Sequence, residues 1–82
     1  MTQKHAVETT LAPSAIGTYS QAIVTGEFAF ISGQIGLDPN SMVLVSDSID
    51  SEIRQIFNNL NEIIKQTGAT IDHVVKFTVY LT

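Results

Sequence analysis

The chain has 82 residues, of which 44% are hydrophobic and 15% are charged, and its formal net charge is −4. This length allows one domain at most, and the composition is that of a folded chain rather than a disordered one. The absence of cysteine excludes disulfides and thiolate metal sites, and the acidic balance argues against broad contact with nucleic-acid phosphates. No apolar run approaches the roughly 18 residues of a membrane span. We therefore expect a cytoplasmic protein whose partners include neither a membrane nor a nucleic acid.

The first third of the chain predicts a weak strand, a loop and a hairpin. Residues 4–9 contain only two apolar side chains and are a candidate for a short strand. Pro13 restricts its own backbone and that of the residue before it, which favours irregular structure over residues 10–18. Residues 20–24 predict the next strand. The connection Thr25–Glu27, with a glycine at its centre, predicts a three-residue hairpin to the following apolar run.

That run, Phe28–Ile31, is the most hydrophobic strand candidate in the chain. Four consecutive apolar residues predict a strand buried on both faces, because a strand with one solvent face alternates apolar and polar residues. Ser32 and Gly33 end the run. A glycine at the end of a buried strand is typical of a turn, a bulge or a point where another group approaches the backbone. The last alternative would make this strand end a binding site.

A turn and a long helix follow. Residues 36–41 carry the glycine, proline, aspartate and asparagine of a turn, and residues 42–45 are a candidate for a short strand. The turn lacks the spacing of a calcium-binding loop, so we expect no metal site. Apolar residues then recur at helical spacing over residues 49–64, with N-cap candidates before them and Gly68 as a C-cap after them. The opposite face is expected to be solvated; its members are Arg54, Gln55, Asn58, Asn59, Asn61, Glu62 and Gln66.

Alternating apolar residues from Val74 to Leu81 predict a final strand. A strand, a helix and a strand in sequence predict a crossover, with the helix on one face of a mostly antiparallel or mixed sheet. One helix leaves the other face of such a sheet uncovered. We therefore expect either that a partner subunit covers this face or that the chain is a fragment.

Four segments resemble one protein family. They are Ala15–Ala22 (AIGTYSQA), Phe30–Ile35 (FISGQI), Arg54–Leu60 within the helix, and Gly68–Ala69 together with Val74–Thr82. Taken together they are similar to the Rid family, also called YjgF or liver perchloric-acid-soluble protein. The resemblance covers nearly the whole chain, with the segments in the same order.

The resemblance implies an α+β, chorismate-mutase-like (Rid-type) fold, in which a mixed sheet packs on a helix layer and three chains form a homotrimer. It also implies the hydrolase activity of a 2-iminobutanoate/2-iminopropanoate deaminase, which converts reactive enamines and imines such as 2-aminoacrylate to 2-keto acids and ammonia. The ligands would be imines, enamines or keto acids, bound in pockets between subunits. No metal or organic cofactor belongs to that chemistry.

Three residues fall on the family's site. Tyr19 falls on the tyrosine that lines the family's pocket, which makes it the catalytic candidate. Ser32 and Gly33 fall on the strand end that faces bound ligand, which makes them substrate-binding candidates. The Gly33 N–H suits a carboxylate because glycine lets a ligand approach, and the hydroxyls of Tyr19 and Ser32 can donate or accept a hydrogen bond.

The family's remaining third has no counterpart in these 82 residues. In the family that part brings an arginine for the substrate carboxylate and a glutamate that handles the proton and water. Neither Arg54 nor Glu52 is placed to replace them. We therefore expect residues 1–82 to be a single Rid-like domain truncated at its C-terminus, incomplete after the fourth to fifth strand. Catalysis is expected to be impaired or absent if the protein ends at Thr82.

Two other functions stay open. A module that binds small carboxylates would use the same pocket without turnover. The endoribonuclease or translation-inhibitor role attached to some family members would need a positive groove with stacked aromatic side chains. The basic residues are scattered along the chain, which argues against that role; they are Lys4, Arg54, Lys65 and Lys76.

Overall fold

A computed structural model describes residues 3–16 and 20–79. In chain order they form β1 (Lys4–Val7), β2 (Ala22–Thr25), β3 (Phe28–Ile31), α1 (Ile49–Gln66) and a short 3-10 helix (Ile71–His73). The strands form one sheet, and α1 packs on one of its faces. This arrangement confirms the α+β architecture predicted from the sequence.

The sheet is antiparallel, in the order β1-β2-β3. Thr25 pairs with Phe28, so Gly26 and Glu27 alone connect β2 to β3, one residue fewer than predicted. Gly26 has a φ of 58°. Positive φ at the first of two loop positions is typical of a type II′ turn, whose twist matches that of the strands it joins.

The face of the sheet toward α1 carries the core. Val7, Ala22 and Ile31 lie opposite one another across the three strands. Val7 and Ala22 pack together with Ala12 and Ile63, and Ile31 packs against this cluster. Ile63 is fully buried, and burying a side chain of this size contributes about 1.5–3 kcal/mol. The cluster therefore holds α1 against the strands.

The other face of the sheet, the outer apolar face, consists of Ala6, Ile23, Phe28 and Phe30. The rings of Phe28 and Phe30 stack with their centroids 6.4 Å apart, yet these side chains are 67% and 63% exposed. The prediction that β3 is buried on both faces is therefore wrong for the single chain. The reason is that α1 covers one face, and no described residue covers the other.

The helix begins and ends as the sequence predicts. Ser48 is the N-cap, and its side chain accepts a hydrogen bond from the Ser51 N–H at 3.1 Å. Asp50 and Glu52 place negative charge in the first turn, where the helix dipole favours it. Beyond the last turn, Gly68 has a φ of 92°, a conformation that favours glycine.

The buried side of α1 is rotated away from the centre of its apolar face. Asn59 is fully buried near Ile63, whereas Ile49 is 70% exposed. The prediction that Asn59 belongs to a solvated face is therefore wrong. Its carboxamide is bonded to main-chain carbonyls of the loop after β3, and such bonds offset the cost of burying a polar group.

The segment between β3 and α1 folds back on itself. Leu37 and Leu44 form an isolated antiparallel bridge, where the sequence suggested a short strand over residues 42–45. At the tip, Asp38 accepts hydrogen bonds from the N–H groups of Ser41 and Asn40. The Ser41 N–H, and after it the Asn40 N–H, hold the pKa of Asp38 below its usual value of 3.8. These bonds close the loop locally.

Residues 74–79 form no strand. The predicted strand over residues 74–81 is wrong for this part, and residues 80–82 lie outside the described ranges. Alternation describes an extended chain with two different faces, but a strand also needs a neighbour to pair with. The described sheet consequently has three strands rather than four or five, and both of its strand pairings are antiparallel. Phe77 instead meets the ring of Phe57 edge-on, with centroids 6.0 Å apart.

Candidate functional site

A cavity of about 130 Å³ lies where β3 ends. Two chain segments line it, which we call its walls: residues 13–16, and residues 33–35 with Leu37. Gln21, the residue before β2, lines the cavity as well. Since a water molecule occupies about 30 Å³, the space holds several waters or the polar end of a small organic acid. The arrangement is suited to a small ligand.

Gly33 presents bare backbone to this cavity. A Cβ built on Gly33 would have no heavy atom within 4 Å, and the residue does not have a positive φ. The backbone conformation therefore does not require glycine, whereas a side chain would project into open space. Among the described residues, none accepts a hydrogen bond from the Gly33 N–H. This N–H is suited to hold an anionic group such as a carboxylate.

Ser32 lies beside the cavity but does not line it. Its hydroxyl donates to the Ser20 carbonyl, and its N–H donates to the Gln21 carbonyl at 3.0 Å. The hydroxyl proton is thereby committed to the fold, while the oxygen can still accept a hydrogen bond. Tyr19, the third predicted site residue, lies outside the described residues.

Gln21 is a buried polar side chain that the sequence analysis did not single out. It is 3% exposed, and its Nε2 donates to the carbonyls of Pro13 at 2.7 Å, Thr9 at 3.0 Å and Ala12 at 3.3 Å. Its Oε1 accepts from the Thr9 N–H at 2.6 Å. The Gln21 carboxamide thus holds residues 9–13, which form no strand, next to the start of β2.

Asn59 does the same for the opposite wall. Its Nδ2 donates to the carbonyls of Leu37 at 3.0 Å and Ile35 at 3.2 Å. Its Oδ1 accepts from Gln55 Nε2 at 2.9 Å. Because both acceptor residues line the cavity, α1 determines where this wall lies. Helical periodicity placed Asn59 on the solvated polar face, because a partner this far along the chain leaves no local signal in the sequence.

The other polar side chains of the described residues give less support for a binding or catalytic site. His73 is exposed, and its Nδ1 accepts a hydrogen bond from the Thr70 N–H at 3.0 Å, so it caps the 3-10 helix. Arg54 is exposed on α1. Over residues 3–16 and 20–79, no cluster of three or more side chains is arranged to hold a metal ion. None of the helices within those ranges is long and apolar enough to cross a membrane.

The sheet, the single covering helix and the cavity at the end of β3 define an α+β domain with a site of small-ligand size. The family described as Endoribonuclease L-PSP matches residues 9–82. The chain therefore belongs to this family, whose members include the Rid proteins, as the sequence resemblance predicted.

Relatives agree with this assignment. The chain is 48% identical over 75 residues to a mouse 2-iminobutanoate/2-iminopropanoate deaminase, covering 92% of this chain and 56% of the mouse protein. It matches the structure of a Yersinia pestis Rid-family protein with a TM-score of 0.82 and 41% identity, over 85% and 56% of the two chains. It also matches Escherichia coli TdcF with bound serine, with a TM-score of 0.77 and 30% identity, over 82% and 52%. The chain thus spans just over half the length of these relatives.

Proposed function

We propose that this chain takes part in the hydrolysis of reactive enamines and imines, such as 2-aminoacrylate, to 2-keto acids and ammonia. The observation that carries the proposal is the open main chain of Gly33 at a cavity of about 130 Å³. The name of the mouse relative supports this reaction, and the E. coli relative is described with a bound amino acid, serine.

The reaction needs only water and proton transfers. Protonation of the enamine carbon gives an iminium ion, and water adds to the carbon of its C=N group to form a carbinolamine. A proton then passes from the added oxygen to the nitrogen, and ammonia leaves as the C–N bond breaks and the C=O bond of the keto acid forms. A protein accelerates such steps by holding the substrate and water in place and by supplying hydrogen bonds. We assign the Gly33 N–H to the substrate carboxylate and the Ser32 oxygen to accepting a hydrogen bond. Tyr19 is proposed to provide a hydroxyl for the reacting nitrogen or the water.

We also propose that the pocket is completed by further copies of the chain in a homotrimer. The outer apolar face supports this, since its two phenylalanines are mostly exposed in the single chain. Exposed apolar patches of this kind mark contact surfaces.

A chain without cysteine needs no oxidising compartment for disulfides, which favours the cytoplasm as its location.

The test is keto-acid formation from an enamine generated in the assay. We expect the wild-type protein to raise the rate above the uncatalysed background, and Gly33→Val to remove this gain by filling the cavity. Ala29→Val is the matched control, because it adds bulk in β3 away from the residues that line the cavity. A wild-type rate equal to the background would contradict the deaminase proposal for this chain. Native mass spectrometry of the same samples shows whether a trimer is present.

Two other results would redirect the assignment. Saturable binding of 2-oxobutanoate without turnover would identify a small-carboxylate-binding module. RNA cleavage that survives rigorous removal of contaminating nucleases would favour the endoribonuclease role that the family description names. The described charges argue against RNA, since one of the few basic residues, Lys65, lies 3.4 Å from Glu62.

A further inference from the structure

Two buried carboxamides hold the two walls of the Gly33 cavity. Gln21 binds one wall from the start of β2, and Asn59 binds the other from the middle of α1. Both side chains are at least nine-tenths buried. Gln21 donates to the main-chain carbonyl of one residue that lines the cavity, Pro13, and Asn59 donates to those of two, Ile35 and Leu37. The two walls are therefore held by side chains that lie far apart in the sequence.

Neither carboxamide has a donor left for a ligand. The two N–H bonds of Gln21 Nε2 face three carbonyls, and those of Asn59 Nδ2 face two. Each carboxamide oxygen already accepts one hydrogen bond. A direct donor role toward a substrate is thus excluded for both. What remains to these groups is control of where the backbone of each wall lies.

Resting on the proposed function, we infer that Gln21 and Asn59 are positioning residues for the ligand that Gly33 binds. They fix the width of the cavity before a ligand enters, so that a carboxylate meets a wall already in place. Preorganisation of this kind raises affinity because binding then requires less ordering of the protein. It also makes the cavity sensitive to α1, whose side chain Asn59 reaches the wall that contains Ile35 and Leu37.

The experiment compares two variants with matched controls by residue-resolved NMR of the isotopically labelled chain. Asn59→Leu keeps the approximate volume and removes both donors, and Asn58→Leu makes the same change at an exposed neighbour. Gln21→Met does likewise for the first wall, with Gln66→Met at an exposed position as its control. The probe ligand is 2-oxobutanoate. Folding of every variant is checked by its circular dichroism and thermal transition.

We expect each buried variant to move the amide resonances of its own wall without any ligand present. Asn59→Leu should shift the amides of residues 33–37, and Gln21→Met should shift those of residues 14–16, since Pro13 has no N–H. Each should also raise the Kd for 2-oxobutanoate by at least about tenfold, through lost preorganisation, while both controls keep the wild-type Kd. A residue that served only global stability would lower the thermal transition and leave the Kd of the folded protein unchanged. That outcome in both buried variants overturns the inference.

If the buried variants do not fold, titration of the wild type decides. The side-chain N–H groups of Gln21 and Asn59 should then exchange slowly with solvent in the ligand-free protein, because both are buried and bonded to the walls, and 2-oxobutanoate should leave that exchange unchanged. Rapid exchange of these groups before the ligand is added would overturn the inference, because the walls would then not be in place before binding. Failure of the proposed function gives a different result, because the wild type then shows no response to 2-oxobutanoate. The wall-specific shifts of the ligand-free variants would persist in that case, and they would uphold the role of the carboxamides in placing the walls.

Discussion

The two faces of the sheet are both apolar, but only one of them is covered. On the inner face, Ile63 of α1 is fully buried among strand residues, and no buried side-chain nitrogen or oxygen of the described chain lacks a hydrogen-bond partner. On the outer face, Phe28 and Phe30 remain largely exposed. The comparison shows that α1 buries the inner face of the sheet within this chain. No described residue does the same for the outer apolar face.

The most direct test of this difference between the two faces of the sheet is to truncate one large side chain on each. Ile63→Ala should lower the free energy of unfolding by about 2–5 kcal/mol, since it leaves a void in a packed core. Phe30→Ala should cost less than about 1 kcal/mol in the monomer, because Phe30 is mostly exposed. Urea denaturation at low protein concentration measures both.

Equal losses for the two variants would contradict an uncovered outer face. Repeating the measurement at increasing protein concentration sharpens this result. If copies of the chain cover the face, the cost of Phe30→Ala grows with concentration, whereas that of Ile63→Ala includes the same core loss throughout.

A second prediction compares two glycines in the loop after β3, Gly33 and Gly36, of which only Gly33 lines the cavity. A Cβ on Gly36 would lie 2.9 Å from Glu52 Cγ and 3.1 Å from the Glu52 carbonyl oxygen. Gly36→Ala should therefore cost about 1–3 kcal/mol through overpacking against α1. Gly33→Ala meets open space and should stay within about 0.5 kcal/mol of the wild type. Thermal unfolding distinguishes them; a large loss at Gly33 would mean that its site is already filled by protein.

The features that the sequence predicted are those that neighbouring residues decide. An N-cap among residues 46–48, the left-handed Gly68 and the β2–β3 hairpin each depend on a few consecutive residues. All are present, with Ser48 as the N-cap and with one loop residue fewer in the hairpin than predicted. The Gly33 strand end was also identified from a local break in an apolar run, and it does line a cavity.

What the sequence could not show depends on partners distant along the chain. Asn59 was assigned to solvent because helical periodicity contains no record of the carbonyls 22 and 24 residues earlier that it binds. Gln21 was passed over for the same reason. The burial of Phe28 and Phe30 was overestimated. An apolar side chain shows only that burial would be favourable, and the local sequence does not show whether another part of the molecule packs over it.

A third prediction separates backbone strain from packing at the end of α1. Gly68 has a φ of 92°, and a Cβ there would meet nothing within 4 Å. Gly68→Ala should therefore cost about 1 kcal/mol from the left-handed conformation alone. Gly68→Asn is the control and should cost less, because asparagine tolerates this conformation better. Equal losses in chemical denaturation would indicate that a contact, rather than the backbone, restricts this position.

The smallest effect on stability is expected at Asp38, at the tip of the loop between β3 and α1. The Ser41 and Asn40 N–H groups lower its pKa in the folded state below the usual 3.8. The charged carboxylate thus stabilises the fold above that value, and this contribution is lost as the pH falls through the lower, folded-state pKa. Asp38→Asn keeps a side-chain oxygen for both N–H groups but does not titrate. The difference in urea midpoint between wild type and variant should therefore be constant from about pH 7 to pH 5 and change in favour of the variant below about pH 4. A difference that is the same at all these pH values would show that the two N–H groups bind the charged and neutral oxygens equally well.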